Sequence, residues 1–420
     1  MSSPIERHIW LLAFIAFFIP VYQPAVPFLL LFFLLHFLAN PSLRRFPEFK
    51  LWSPPTALMA FYIFHLLGLI WSDNKSFGFF DLEVKLSLLL VPLVFLFCEN
   101  IAHRHFEKII SFYIYGCLSA VLIGVVNSLY MFYTGRNPIF NMYDVNISPV
   151  LHLGYFAMYL NMGLVLVIYK VITSEDKFYS VRNALLILSS FVLAFAIFLS
   201  TSRNGFMVFI LMLLLILIYS ILKYKRWTIW LTVVLLAWVT ASSLLKDMVG
   251  KSKSLHGFDK VKTVLEAPKV DKNTGESTAS RILVWQSALE IMAGTPVIGV
   301  GTGDIKDALL DRYKANGFTA PYARRYNAHN QYLQTGAALG IIGLLLFVLF
   351  IALNVFRALR IGDFLSLLFA VNLSVACLTE SILEVQAGVV FTAFFTVILY
   401  YSHSVRLPVI NRKLDRTNEV

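Results

Sequence analysis

An all-α polytopic membrane protein is the fold class that this sequence predicts, and three observations predict it. Of 420 residues, 58% are hydrophobic and only 14% are charged, with a mean hydropathy of +0.73. A soluble chain of this length cannot hide so much apolar surface. Apolar runs of roughly membrane-crossing length, about 17–25 residues, recur along the chain. Finally, lysine and arginine fall unequally on alternate connections between those runs. Helices are the natural spanning element, because they satisfy their own backbone where lipid offers no hydrogen-bonding partner.

The expected spans lie near 8–20, 24–39, 54–71, 84–98, 108–133, 150–170, 183–200, 204–222, 227–244, 331–356, 362–379 and 386–404. Twelve spans place both termini on one side. Pro20 and Pro24 split the first two into a tight hairpin, and the boundary at Arg203 is equally tight. Of 35 basic residues, 18 fall on the side of the termini and only Lys75, Lys85, Arg136 and Arg203 on the short connections opposite. The remaining 13 lie in the 245–328 connection, which is long enough to cross whatever its charge. Both termini are therefore expected in the cytoplasm and the long loop outside. The organisation is about nine helices over 1–244, the loop at 245–328, about three helices over 329–405, and a cytoplasmic tail at 406–420. Arg7 and His8 followed by an apolar run resemble a signal sequence, but no convincing small-residue cleavage site follows, so an uncleaved anchor is expected.

The net charge of +11 is accounted for by this asymmetry and calls for no nucleic acid. Cys98, Cys117 and Cys377 lie in apolar segments, which argues against a disulfide framework or a cysteine metal site. The loop holds 13 basic and nine acidic residues. Its first part, KSKSLHGFDKVKTVLEAPKVDKNTGEST, is polar and broken by Pro and Gly, and predicts irregular structure. From Arg281, Ile282, Leu283, Trp285, Ala288, Leu289 and Met292 recur at helical spacing, with Gln286 and Glu290 opposite. Such a helix either lies in the interface with Trp285 at headgroup depth or packs on the bundle.

Several residues on the outer side can carry chemistry. Arg203 sits in LSTSRNGF between two apolar runs, where an arginine is costly unless paired or facing a water-filled cavity; an anionic ligand is one partner, and a snorkelling role is the alternative. Arg281 presents a planar fork suited to phosphate oxygens, although alone it also reads as a solvated charge. Arg324 and Arg325 add positive charge before His329, and at least one of them is expected to be ordinary surface. His329 precedes an apolar helix and adjoins Asn330; it suits general-base work near neutral pH, or a structural hydrogen bond to backbone.

Gly336 and Gly340 form a GxxxG pair, read as close packing. Gly299, Gly301 and Gly303 form GVGTGD, with no lysine or βαβ unit to make a nucleotide loop, so a tight turn is expected. Asp73, Asp81 and Glu83 share one outer loop; Asp81 and Glu83 make a weak candidate for a divalent cation. Glu380 and Glu384, in the last outer loop, are candidates to orient His329 or pair an arginine.

Taken together, TSRNG at 201–205, RILVW at 281–285, PVIGVGTG at 296–303 and HNQYLQTGAALGIIG at 329–343 resemble the core of the O-antigen ligase/polymerase superfamily of bacterial membrane enzymes. His329, Asn330, Gly340 and Gly343 fit its ligase signature. DLEVKLSLLLVPLVF and LTESILEVQAGVVF look like members from Bacteroidetes-type bacteria. The resemblance implies a GT-C-like glycosyltransferase architecture at the periplasmic face of the inner membrane. It implies an inverting, metal-independent transfer with no cofactor, from a glycan on undecaprenyl pyrophosphate to a sugar hydroxyl of lipid A–core. On that reading Arg203 and Arg281 clamp the pyrophosphate with Arg325 as a secondary contact, His329 serves the acceptor hydroxyl, and Asn330, Glu380 and Glu384 support the site. A polymerase or a protein O-oligosaccharyltransferase of the same superfamily would use similar chemistry. A transporter for an anionic lipid is the alternative from another class, but it would carry ionisable groups at mid-bilayer depth.

Overall fold

The computed structural model describes residues 3–45, 49–98, 101–135, 147–174, 176, 180–200, 202–223 and 277–402. The span expected at 227–244, the polar stretch before residue 277 and the tail lie outside the described residues. In chain order the helices are α1 (Pro4–Val21), α2 (Val26–Ala39), α3 (Pro54–Gly68), α4 (Lys75–Lys85), α5 (Ser87–Phe97), α6 (Ile101–Tyr133), α7 (Leu153–Thr173), α8 (Val181–Leu199) and α9 (Arg203–Lys223). There follow α10 (Ser277–Gly294), α11 (Ile305–Asn316), α12 (Thr319–Arg324), α13 (Gln331–Ile361), α14 (Phe364–Thr379) and α15 (Gln386–Tyr401). Six of these, α1, most of α6, α7, α8, α9 and α13, are long and apolar enough to cross a membrane. α2, α3, α5, α14 and α15 are shorter apolar helices over other expected spans. The chain is a multi-pass membrane protein.

Two compact units emerge: Met1–Tyr113 with Asp271–Ala370 and Cys377–Val420, and Ile114–Val270 with Val371–Ala376. In the second unit α7 is buried almost throughout and packs against α8 and α9. Asn161 of α7 donates its amide to the carbonyl of Gly205 at 2.9 Å, fixing the start of α9.

The first unit is organised around α3, α13 and α15. α3 starts cleanly because Ser53 and Thr56 form a reciprocal capping box and Pro54 occupies the first helical position, where its missing N–H costs nothing. Every residue of α15 from Ala387 to Leu399 is buried, which fits a central helix with Phe391, Phe394 and Phe395 among its packing residues.

The segment 331–356, expected as one uninterrupted helix, is broken. Gly340 adopts φ 65°, ψ −164° within α13, a backbone state open to glycine and costly for any residue with a Cβ. The chain of 296–301 lies along the break. Val300 and Gly301 donate N–H to the carbonyls of Ala337 and Ala338, at 3.1 and 2.8 Å, and Ile341 donates to Pro296 at 2.8 Å. The groups orphaned by the break are thereby satisfied, which lipid could not do. A Cβ on Gly340 would come within 2.2 Å of the Val297 carbonyl oxygen. The close-packing reading of the glycine pair holds, since Gly336 abuts Met292 of α10, but Gly340 also interrupts the helix.

Candidate active site

α10 and α11, joined by the Gly-rich turn, pack against each other and against α13, the helix that follows His329. α10 buries Leu283, Val284, Ser287, Ala288 and Ile291 against its neighbours. The apolar face expected from the sequence is therefore corrected by one step around the helix: Val284 and Ile291 join the packed side, whereas Ile282, Trp285 and Leu289 line an open depression with Gln286, Glu290 and Ala293. Of the two open placements, packing on the bundle is seen for one apolar face, and a second face is left outside it. At its C-terminal end Glu290 accepts from Asn316 at 2.9 Å and from Gln286 at 2.9 Å. These bonds, the Asn316 one foremost, hold its carboxyl below the usual range.

GVGTGD is a tight turn, as expected, and serves as a clasp. The Asp304 carboxylate accepts the backbone N–H groups of Asp73 and Asn74 at 2.8 and 2.7 Å. Thr302 donates to the carbonyl of His65 at 2.7 Å, and Gly303 N–H donates to Ser72 Oγ at 2.9 Å. The turn therefore ties α10 and α11 to the end of α3 and the start of α4.

His329 occupies the last residue before the N-cap of α13. Its φ is 44°, a left-handed conformation that costs a non-glycine residue roughly 1–2 kcal/mol, although histidine is among those enriched there. The turn offsets that cost with local bonds. Asn327 Oδ1 accepts His329 N–H at 2.9 Å, and Gln334 Oε1 accepts Ala328 N–H at 3.0 Å. Asn330 caps α13 through Leu333 N–H at 3.1 Å while its amide donates to the carbonyl of Leu378 at 3.0 Å. Its own N–H reaches Ser381 Oγ at 3.2 Å. The histidine turn is thus laced to the end of α14 and to the chain that follows it.

That lacing brings Glu380 to the centre of the site. Its Oε2 lies 2.9 Å from His329 Nδ1, and its Oε1 accepts from the Arg281 guanidinium at 2.6 Å. One carboxylate thereby joins residues 99 and 51 positions away in the chain. Engaged at Nδ1, the imidazole offers Nε2 as its second nitrogen, and the side chain keeps 25% of its surface exposed. Tyr326 packs edge-on against the imidazole at 5.0 Å. Arg324 donates to the Tyr326 hydroxyl at 2.8 Å, a bond that raises the guanidinium's pKa. Arg325 is exposed and ends α12 with φ 52°.

Glu384, expected to serve His329 or an arginine, instead meets Lys85 Nζ at 3.1 Å. Asp81, considered for a divalent cation, is held by the same Lys85 at 2.5 Å. Lys85 was not among the candidates drawn from the sequence; its i,i+4 spacing from Asp81 was the available signal. In the second unit Arg203 is the first residue of α9 and is half-buried. The Ser202 hydroxyl caps that helix by accepting Gly205 N–H at 3.1 Å, so Arg203 adds its charge to the positive end of the helix dipole.

Residues 188–348 match the model of a protein family described as O-antigen ligase. No curated protein matches the chain. The family match supports placing this protein in the O-antigen ligase superfamily, the one that its motifs resemble. It includes Arg203, Arg281, Arg325, His329 and Asn330 and ends before Glu380. The family implies a glycosyltransferase-like ligase or polymerase that handles glycans and lipid-linked substrates.

Proposed function

We propose that this member of the O-antigen ligase superfamily transfers a glycan from undecaprenyl pyrophosphate to a sugar hydroxyl of lipid A–core, at the periplasmic face of the bacterial inner membrane. The observation that carries the reading is the Arg281–Glu380–His329 relay within and beside the matched family segment. Glu380 holds the Nδ1–H tautomer of His329, which leaves Nε2 as the basic nitrogen. An acceptor hydroxyl on Nε2 gives up its proton as its oxygen attacks C1 of the donor sugar. The new C1–O bond forms as the bond from C1 to the pyrophosphate oxygen breaks, with inversion at C1. The electron pair leaves on undecaprenyl pyrophosphate.

Negative charge grows on that leaving group, and fixed cations stabilise it most in the transition state. Arg281 has one edge committed to Glu380, so its role divides between orienting the carboxylate and meeting phosphate. Arg203 is proposed as the second phosphate contact from its sequence motif, with Arg325 as an exposed, secondary one. Asn330 acts through the turn rather than on substrate.

The test is a gel of lipopolysaccharide from a deletion strain, with the carrier-linked glycans probed beside it. Bare lipid A–core with long glycan stranded on the carrier is the expected result, and His329→Ala should fail to restore the ladder. A core capped by a single repeat, with no long carrier-bound chain, would assign polymerase activity instead. An unchanged ladder would remove both roles in that pathway.

A further inference from the structure

Lys85 is fully buried at the end of α4, an unusual place for an ammonium group. Two carboxylates compensate it: Asp81 on the same helix at 2.5 Å and Glu384 at 3.1 Å. Glu384 closes the short helical turn Ile382–Glu384, which begins two residues after Glu380. The intervening residues are also held, because Ser381 Oγ accepts Asn330 N–H and Gln331 Oε1 accepts Leu383 N–H at 2.7 Å. Five residues of chain are therefore gripped at both ends. A sealed ion pair grips one end, and the carboxylate that touches His329 and Arg281 stands at the other.

A surface turn of this length would let a glutamate sample several rotamers and backbone states, at a cost in orientation each time the site must be assembled. Here the buried charge gives one strongly preferred position, because turning Glu384 out to water would leave the sealed Lys85 with Asp81 as its remaining carboxylate. We infer that Lys85 is a positioning residue for the transfer reaction, acting through Glu384 to hold the Glu380 carboxylate against His329 and Arg281. Lys85 lies beyond the segment matched by the family model and does not touch the site. The inference rests on the proposed role of the Glu380–His329 pair.

A double-mutant cycle tests it. Purified full-length protein in proteoliposomes is given carrier-linked glycan and lipid A–core, both extracted from the deletion strain, and transfer rates are measured. Glu384→Gln and Lys85→Gln are each made in the wild-type and Glu380→Gln backgrounds. Glu384→Gln leaves Lys85 paired with Asp81, and so serves where Lys85→Gln fails to fold. In the wild-type background kcat should fall about 10-fold or more with little change in KM, since an orienting contact is lost. In the Glu380→Gln background the same substitutions should cost less than about twofold, because the group they position is gone.

Equal losses in both backgrounds would overturn the inference and leave Lys85 a stabilising residue only. Lys85→Arg, which keeps the charge, should recover most of the rate; recovery no better than Lys85→Gln would also count against it. A Glu380→Gln protein with full activity would remove the reading of the site itself, a failure distinct from additivity.

Discussion

At one end of the turn from Glu380 to Glu384, a carboxylate holds an arginine and a histidine that keep 26% and 25% of their side-chain surface exposed. At the other end, a carboxylate holds a lysine with none. The two clusters share their basic chemistry: an acid bridging to nitrogen bases at hydrogen-bond distance. Their difference lies in access and in the base. Imidazole can take and return a proton near neutral pH with a nitrogen to spare. A sealed ammonium between two carboxylates can only hold them in place. The same residue type, four positions apart, therefore meets a partly exposed imidazole at one end and a sealed ammonium at the other.

The sharpest way to break this comparison is His329→Ala. Transfer should fall about 10²–10⁴-fold, the usual worth of a general base, with expression retained and the unfolding midpoint shifted only by the loss of the Glu380 contact and the cost of alanine at φ 44°. A loss of fold with it would make His329 structural, like Lys85. Next is Lys85→Ala, which strands the buried Asp81 carboxylate and the partly buried Glu384 and should destabilise the protein by about 3–5 kcal/mol. A thermal or denaturant unfolding series in detergent would measure it, and a change below about 1 kcal/mol, the range of exposed pairs, would place Lys85 with the surface. Gly340→Ala imposes a Cβ on a left-handed residue 2.2 Å from the Val297 oxygen, and should cost at least about 1–2 kcal/mol. An unchanged midpoint would mean that α13 can close over its break.

The smallest effect concerns Glu290, whose folded-state pKa lies below the ordinary 4.5. A depressed carboxylate contributes stability above its unfolded pKa and loses it as pH falls through the folded value. Wild-type protein should thus lose up to about 1 kcal/mol relative to Glu290→Gln on acidification below about pH 4.5, as the group is partly exposed. Parallel curves would show that the α10–α11 junction owes nothing to this charge.

The candidate residues were legible because their motifs are local. TSRNG, RILVW and HNQYLQTG each announce themselves through charge or histidine set against apolar helix, and no partner is needed to see that such residues are out of place; of these, the structure brings Arg281 and His329 together through Glu380. Glu380 and Glu384 could be nominated but not told apart. Each is an acid in an outer loop, and sequence carries no measure of which will face a histidine and which will be sealed against a lysine. The packed face of α10 was displaced for a related reason. Apolar residues lie on more than one side of that helix, so periodicity alone cannot tell an inward face from one left open.

By itself the sequence determined the helical membrane class, the approximate positions of the apolar helices among the described residues, the turn character of GVGTGD and the cationic motifs, because hydropathy, charge and glycine act within a few residues. Only the tertiary structure decided that α13 breaks at Gly340, that Arg281, Glu380 and His329 form one relay, and that Lys85 grips the turn carrying Glu380. Those arrangements depend on which backbone groups and charges find compensation across long stretches of chain. Burial makes that compensation obligatory, and packing chooses the partner.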